Sequence, residues 1–98
     1  MVIEKKQDGS AIVLIPAGLI DTSSATDFDN EIEDSLKETK NLTIDFSKVT
    51  YISSSGLRAL VKAQKKASTD GVLKITNVRG AVKEVFDLTG FSEFLSLE

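Results

Sequence analysis

Residues Ile44–Leu60, IDFSKVTYISSSGLRAL, run from an apolar strand through three consecutive serines and a glycine into a helix. Ahead of the serines, Leu42, Ile44 and Phe46 alternate with Thr43 and Asp45, so Asn41–Phe46 reads as a strand with one buried face. Tyr51–Ile52 closes the short segment that follows. Beyond the serines, Leu57, Leu60, Val61 and Ala67 share one helical face, which predicts a helix from Ser55 to about Asp70 with Gly71 as a left-handed stop.

The flanking segments extend the pattern. Upstream, Val2–Ile3, the Asp8–Gly9 turn signal and the apolar run Ala11–Gly18 make an antiparallel hairpin. Pro16 lacks a ladder N–H and marks an edge, a bulge or an end near it. Ala25, Phe28, Ile32 and Leu36 line the seam of a first helix, with Asp21, Thr22, Ser23 and Ser24 available as caps. Downstream, Val72–Thr76 is a strand and Ala81–Leu88 a third helix, with Val82, Val85 and Phe86 inward and Gly90 ending it. Phe94–Leu97 is expected to add a last short strand, and Phe91 and Phe94 to join the core. The order is that of an α/β chain with a mixed sheet of four to five strands, an N-terminal antiparallel hairpin, and helices in right-handed crossovers. Parallel strands ending near Gly18, Tyr51 and Thr76 would share one rim, bringing Asp21, Ser53–Ser55 and Arg79 together.

Composition narrows the chemistry. Ninety-eight residues, 41% hydrophobic and 28% charged, fit one folded domain spanning residues 1–98 and leave no room for a cleft between lobes. The absence of Cys and His removes disulfides, thiolate nucleophiles, the usual general base and the commonest transition-metal ligands. An enzyme is not expected, nor a cofactor or a metal site. A net charge of −3 argues against nucleic acid or an anionic membrane surface as partner. No stretch approaches the roughly 18 apolar residues of a membrane span, and the first residues lack the run of a signal peptide. The expected location is the cytoplasm and the expected partner a protein.

Three serines at a helix start have two readings. One hydroxyl can cap the helix, which needs only one serine. The first turn otherwise gives up about 1 kcal/mol of helix propensity through Ser54, Ser55 and Gly56, a broken local rule of the kind that accompanies sites. Nucleophilic catalysis lacks an activating base. Accepting a phosphate does not: phosphoserine brings a charge of about −1.5 to −2, and a helix N-terminus favours an anion.

At this motif the chain resembles the anti-sigma factor antagonists, the stand-alone STAS-domain proteins of bacteria. The family pattern, a strand ending in DLS-like residues, an apolar pair and Asp-Ser-Ser-Gly-Leu opening a helix, stands here as IDFSKVTYISSSGLRAL. AIVLIPAGLID resembles its second strand and Gly-x-x-Asp turn, and VLKITNVRGAVKEVFDLTGF its later strand and helix. The resemblance implies a STAS-like domain and a partner-switching cycle. The unmodified protein binds an anti-sigma factor serine kinase, phosphorylation releases it, and a PPM-type phosphatase restores it. By position the phosphoacceptor is Ser54, with Ser53 and Ser55 as alternatives, and Asp21 is the turn aspartate beside it. Ser53 departs from the family by replacing its aspartate. The sequence also stops at Glu98, where the family often carries one more helix, which implies a smaller packing or partner-facing surface.

The partner surface expected around Ser54 comprises Asp21, Gly56, Leu57, Arg58, Lys62 and Arg79. Gly56 would admit the partner backbone, and Arg58, Lys62, Lys65 and Lys66 would form a basic stripe steering an acidic surface. Asp27, Glu31, Asp34 and Glu38 form an acidic stripe on the first helix. Arg79 is placed to pair with Asp21 or the modified serine, or to be a loop cation. The alternative function is a constitutive STAS subunit of a transport ATPase or stress-signalling complex, with Ser53–Ser55 acting only as caps. A nucleotide binder is disfavoured because neither GxGxxG nor GxxxxGK occurs.

Overall fold

A computed structural model describes residues 1–90, and residues 68–70 by their backbone alone. β1 (Val2–Asp8) and β2 (Ala11–Ile20) form the expected hairpin. They are followed by α1 (Ala25–Glu38), β3 (Asn41–Asp45), β4 (Val49–Ile52), α2 (Ser54–Asp70), β5 (Val72–Thr76) and α3 (Gly80–Thr89). The described strands form one mixed sheet in the order β1-β2-β3-β5, with β4 on β2; among them only β1 runs antiparallel. Phe94–Leu97 and the roles expected for Phe91 and Phe94 lie outside the described residues.

β2 changes partner along its length. Ala11–Leu14 pairs with Asn41–Ile44 of β3, and Gly18–Ile20 pairs with β4. Pro16 falls between the two pairings, where a missing N–H costs least, and the strand continues past it. The register shifts between Gly18 and Leu19, and Gly18 has φ +90°, which a side chain would strain. Its N–H donates to the Lys48 carbonyl at 2.9 Å, which ties the β3–β4 connection to the bend.

The core lies between the sheet and its helices. Ile12, Leu14 and Ile20 of β2, Leu42 and Ile44 of β3 and Ile75 of β5 are fully buried beneath Phe28 and Ile32 of α1 and Leu60 of α2. Phe46 sits between Phe28 and Phe86 with edge-to-face ring centroids 6.4 and 6.0 Å away, which joins α1 to α3. Two expectations along α2 need correction. Val61 is half-buried, and the small Ala59 and Ala63 take the inward positions that let α2 lie close to its neighbours. Gly71 is extended (φ −162°, ψ −169°) and not a left-handed stop. It is glycine because a Cβ there would come within 2.5 Å of the Lys40 carbonyl oxygen.

Candidate functional site

The serine segment starts where β2 and β4 end side by side. Ile20 is in register with Ile52, and the next N–H, that of Ser53, donates to the Ile20 carbonyl at 2.8 Å. The Ser53 carbonyl then accepts the first helical bond of α2 from the Leu57 N–H at 3.0 Å. A Cβ on Gly56 would stand 2.7 Å from both Ile20 Cγ2 and Ile52 Cγ1, so the first turn of α2 can lie on the strand ends only because residue 56 has no side chain. This corrects two sequence expectations. Gly56 serves close packing within the chain and not the approach of a partner backbone, and Leu57, 3% exposed, belongs to the core and not to a contact surface.

The three serines have different surroundings. Ser53 occupies the N-cap position with extended backbone but makes no capping bond, and its Oγ is buried without a hydrogen-bond partner among the described residues. Ser54 is exposed. Ser55 is half-buried and lines a groove between the starts of α1 and α2, together with Thr22, Thr26, Asp29, Arg58 and Lys62. Esterification needs a reachable hydroxyl, and among the three Ser54 meets that condition best.

The loop from β2 to α1 forms the neighbouring wall and is tightly bonded. Asp21 Oδ1 accepts the Ser23 hydroxyl at 2.7 Å and the N–H groups of Ser23 and Ser24 at 3.0 and 3.1 Å. The Ser24 hydroxyl donates to the Leu19 carbonyl and accepts from the Asp21 N–H, both at 2.9 Å. The Ser23 hydroxyl, followed by the Ser24 N–H, holds the Asp21 carboxyl below the ordinary aspartate range. Asp21 therefore contributes a fixed negative charge and a rigid loop. The double role of the Ser24 hydroxyl was not foreseen from sequence, where four polar residues in a row compete for one cap.

Arg79 does not join this group. β5 ends at Thr76 in register with Asp45, whereas β2 continues from Leu14, level with Ile44, to Ile20, about 20 Å further at ~3.3 Å per residue. The rim is stepped, and Arg79 is on the lower step. There burial opposes the charge on Asp45, while hydrogen bonds from Asn77 and Ser47 and the Arg79 guanidinium hold its carboxyl below the usual range. The pairing of Arg79 with Asp21 is corrected accordingly.

The basic stripe is mostly neutralised. Lys62 meets Asp29 at 3.1 Å and Glu33 at 2.8 Å, and Lys66 meets Glu33 at 3.0 Å. Lys62 thus holds α2 to α1, in place of the free steering charge expected. Asp29 and Glu33 escaped the sequence reading because they lie beside the stripe that was singled out. That stripe turns toward β1, where Asp27 meets the Met1 amino group and Glu38 meets Lys5. Arg58 is exposed and has no ion pair or hydrogen bond among the described residues. Among the described residues no cluster of three or more potential metal ligands occurs, and no helix is long and apolar enough to cross a membrane.

Comparison with known proteins agrees with the fold. The STAS domain family model matches residues 2–98. A Bordetella bronchiseptica protein assigned as an anti-sigma factor antagonist, BtrV, is 30% identical over 88 residues, covering 88% of this chain and 75% of its own. Among solved structures, an anti-sigma factor antagonist from Mycobacterium paratuberculosis aligns with a TM-score of 0.89 at 22% identity, covering 98% of this chain and 83% of its own. The Bacillus cell fate determinant SpoIIAA in its phosphorylated form aligns with a TM-score of 0.74 at 13% identity, covering 99% and 91%.

Proposed function

Because the chain belongs to the STAS domain family, we propose that it is an anti-sigma factor antagonist, a protein-binding module switched by phosphorylation of Ser54. The unmodified form binds an anti-sigma factor serine kinase, transfer of a phosphoryl group to Ser54 ends the complex, and a PPM-type phosphatase restores it. The observation that supports this reading most is the sorting of the serines: Ser54 is exposed at the start of α2, two residues past Ile52, whose register partner Ile20 directly precedes Asp21, while the Ser53 hydroxyl is turned inside. The direction of the switch follows from charge. A phosphate of about −1.5 to −2 desolvated and unpaired in an interface costs several kcal/mol, enough to lower affinity by orders of magnitude.

The test is incubation with ATP and the candidate kinase, followed by intact mass and localisation of the phosphate. The expected result is a single addition on Ser54. Ser54→Asp should weaken kinase binding roughly 100-fold, about 2.7 kcal/mol, while Ser54→Ala binds but is not released by ATP. If both variants behave as wild type, the reading fails. Ser53 supports a second reading, a constitutive subunit of a transport ATPase or stress-signalling complex, because it replaces the family aspartate with a buried hydroxyl that has no hydrogen-bond partner among the described residues. Persistent binding without any mass addition would favour that alternative.

A further inference from the structure

From the charge inventory of α2 we infer that Arg58 is a built-in clamp for the phosphoryl group on Ser54, a regulatory feature that rests on Ser54 being the acceptor. Lys62 and Lys66, one and two turns further along, are held by Asp29 and Glu33. Arg58 has no carboxylate among the described residues, although it lines the same groove between α1 and α2. Its spacing from Ser54 is i, i+4, which on a helix brings Cβ atoms to about 5–6 Å. Helical side chains lean toward the N-terminus, which puts the turn that carries Ser54 and Ser55 within reach of Arg58, and Ser55 lines the groove with it. A guanidinium presents two parallel N–H donors to a phosphate, a geometry an ammonium cannot match. The Asp21 carboxylate is already committed to Ser23 and Ser24 and does not compete for the guanidinium. Among the described residues the unmodified chain thus keeps Arg58 without a carboxylate partner, one helical turn from the residue where a new dianion would appear.

The consequence is a division of labour. The free amides at the start of α2 attract any anion on Ser54, whereas Arg58 adds a directed contact that only the phosphorylated form uses. The phosphorylated chain is therefore the more rigid form at this rim, and its phosphate is partly shielded.

The test uses the full chain with phosphoserine installed at position 54 by genetic encoding, so that no kinase is needed and failure of the clamp is distinguishable from failure of the proposed phosphorylation. The second ionisation of the phosphate is followed by 31P NMR in the parent, Arg58→Gln and Arg58→Lys. The helix amides act equally in all three and cancel. The expected midpoint in the Arg58→Gln protein is higher than in the parent by on the order of half a unit, with Arg58→Lys between them. The unphosphorylated Arg58→Gln protein should melt with its parent, since it loses no ion pair among the described residues. Equal midpoints in the parent and Arg58→Gln would overturn the clamp, whatever the kinase experiment returns.

Discussion

Ser53 and Gly56 are three residues apart, and alanine at each acts in opposite directions. The Ser53 hydroxyl is buried without a hydrogen-bond partner among the described residues, so Ser53→Ala removes a desolvated polar group and should be neutral or stabilising by up to about 1 kcal/mol. Gly56→Ala adds a methyl that meets Ile20 and Ile52 at 2.7 Å. The gain in helix propensity, about 1 kcal/mol, offsets part of that overpacking, leaving a net loss of roughly 1–2 kcal/mol and a melting temperature lower by about 5–10 °C. Urea unfolding of both variants checks the pair, and a stabilised Gly56→Ala protein would contradict the packing described. At this scale the serine run was legible from sequence, but its sorting was not. Which hydroxyl turns inward is decided by the Ser53 N–H bond to Ile20, a residue 33 positions earlier.

Between elements, the contact of α1 with α2 is electrostatic along its outer edge. Lys62 first, then Lys66, holds the Glu33 carboxyl down from 4.5 to about 2. The folded-state value is depressed, so this contribution to stability is fully present above the unfolded value and is lost as pH falls from about 4.5 toward 2. Glu33→Gln should therefore lower the melting temperature slightly at pH 7, with the difference closing across that acid range. Because both lysines are exposed and Glu33 is only half-buried, the difference should also shrink at 1 M salt, where the screening length is about 3 Å. A difference that keeps its full size at pH 2 would assign the effect to packing instead. Sequence periodicity identified the inward faces of α1 and α3 well, because Phe28, Ile32, Val82 and Phe86 repeat at helical spacing. It misjudged the charged faces, since amphipathic spacing separates inside from outside but does not say which outer residues meet across two helices. Gly71 was misread for a related reason: its close neighbour, the Lys40 carbonyl, comes from another part of the chain.

Across the whole molecule, the strand and helix order was legible because each turn signal and period change is local. The stepped rim was not, because it depends on β2 exchanging β3 for β4 as partner on either side of Pro16. That exchange lifts the β2 and β4 ends above the end of β5, and so separates Asp21 and Ser54 from Arg79. It also makes the serine segment a poor candidate for transplantation. Copied onto a foreign helix, Ser53–Leu57 would carry its hydroxyls but leave behind the Ile20 carbonyl that orients them and the two isoleucines that seat Gly56. An engineer wishing to install this motif elsewhere would have to move two strand termini with it.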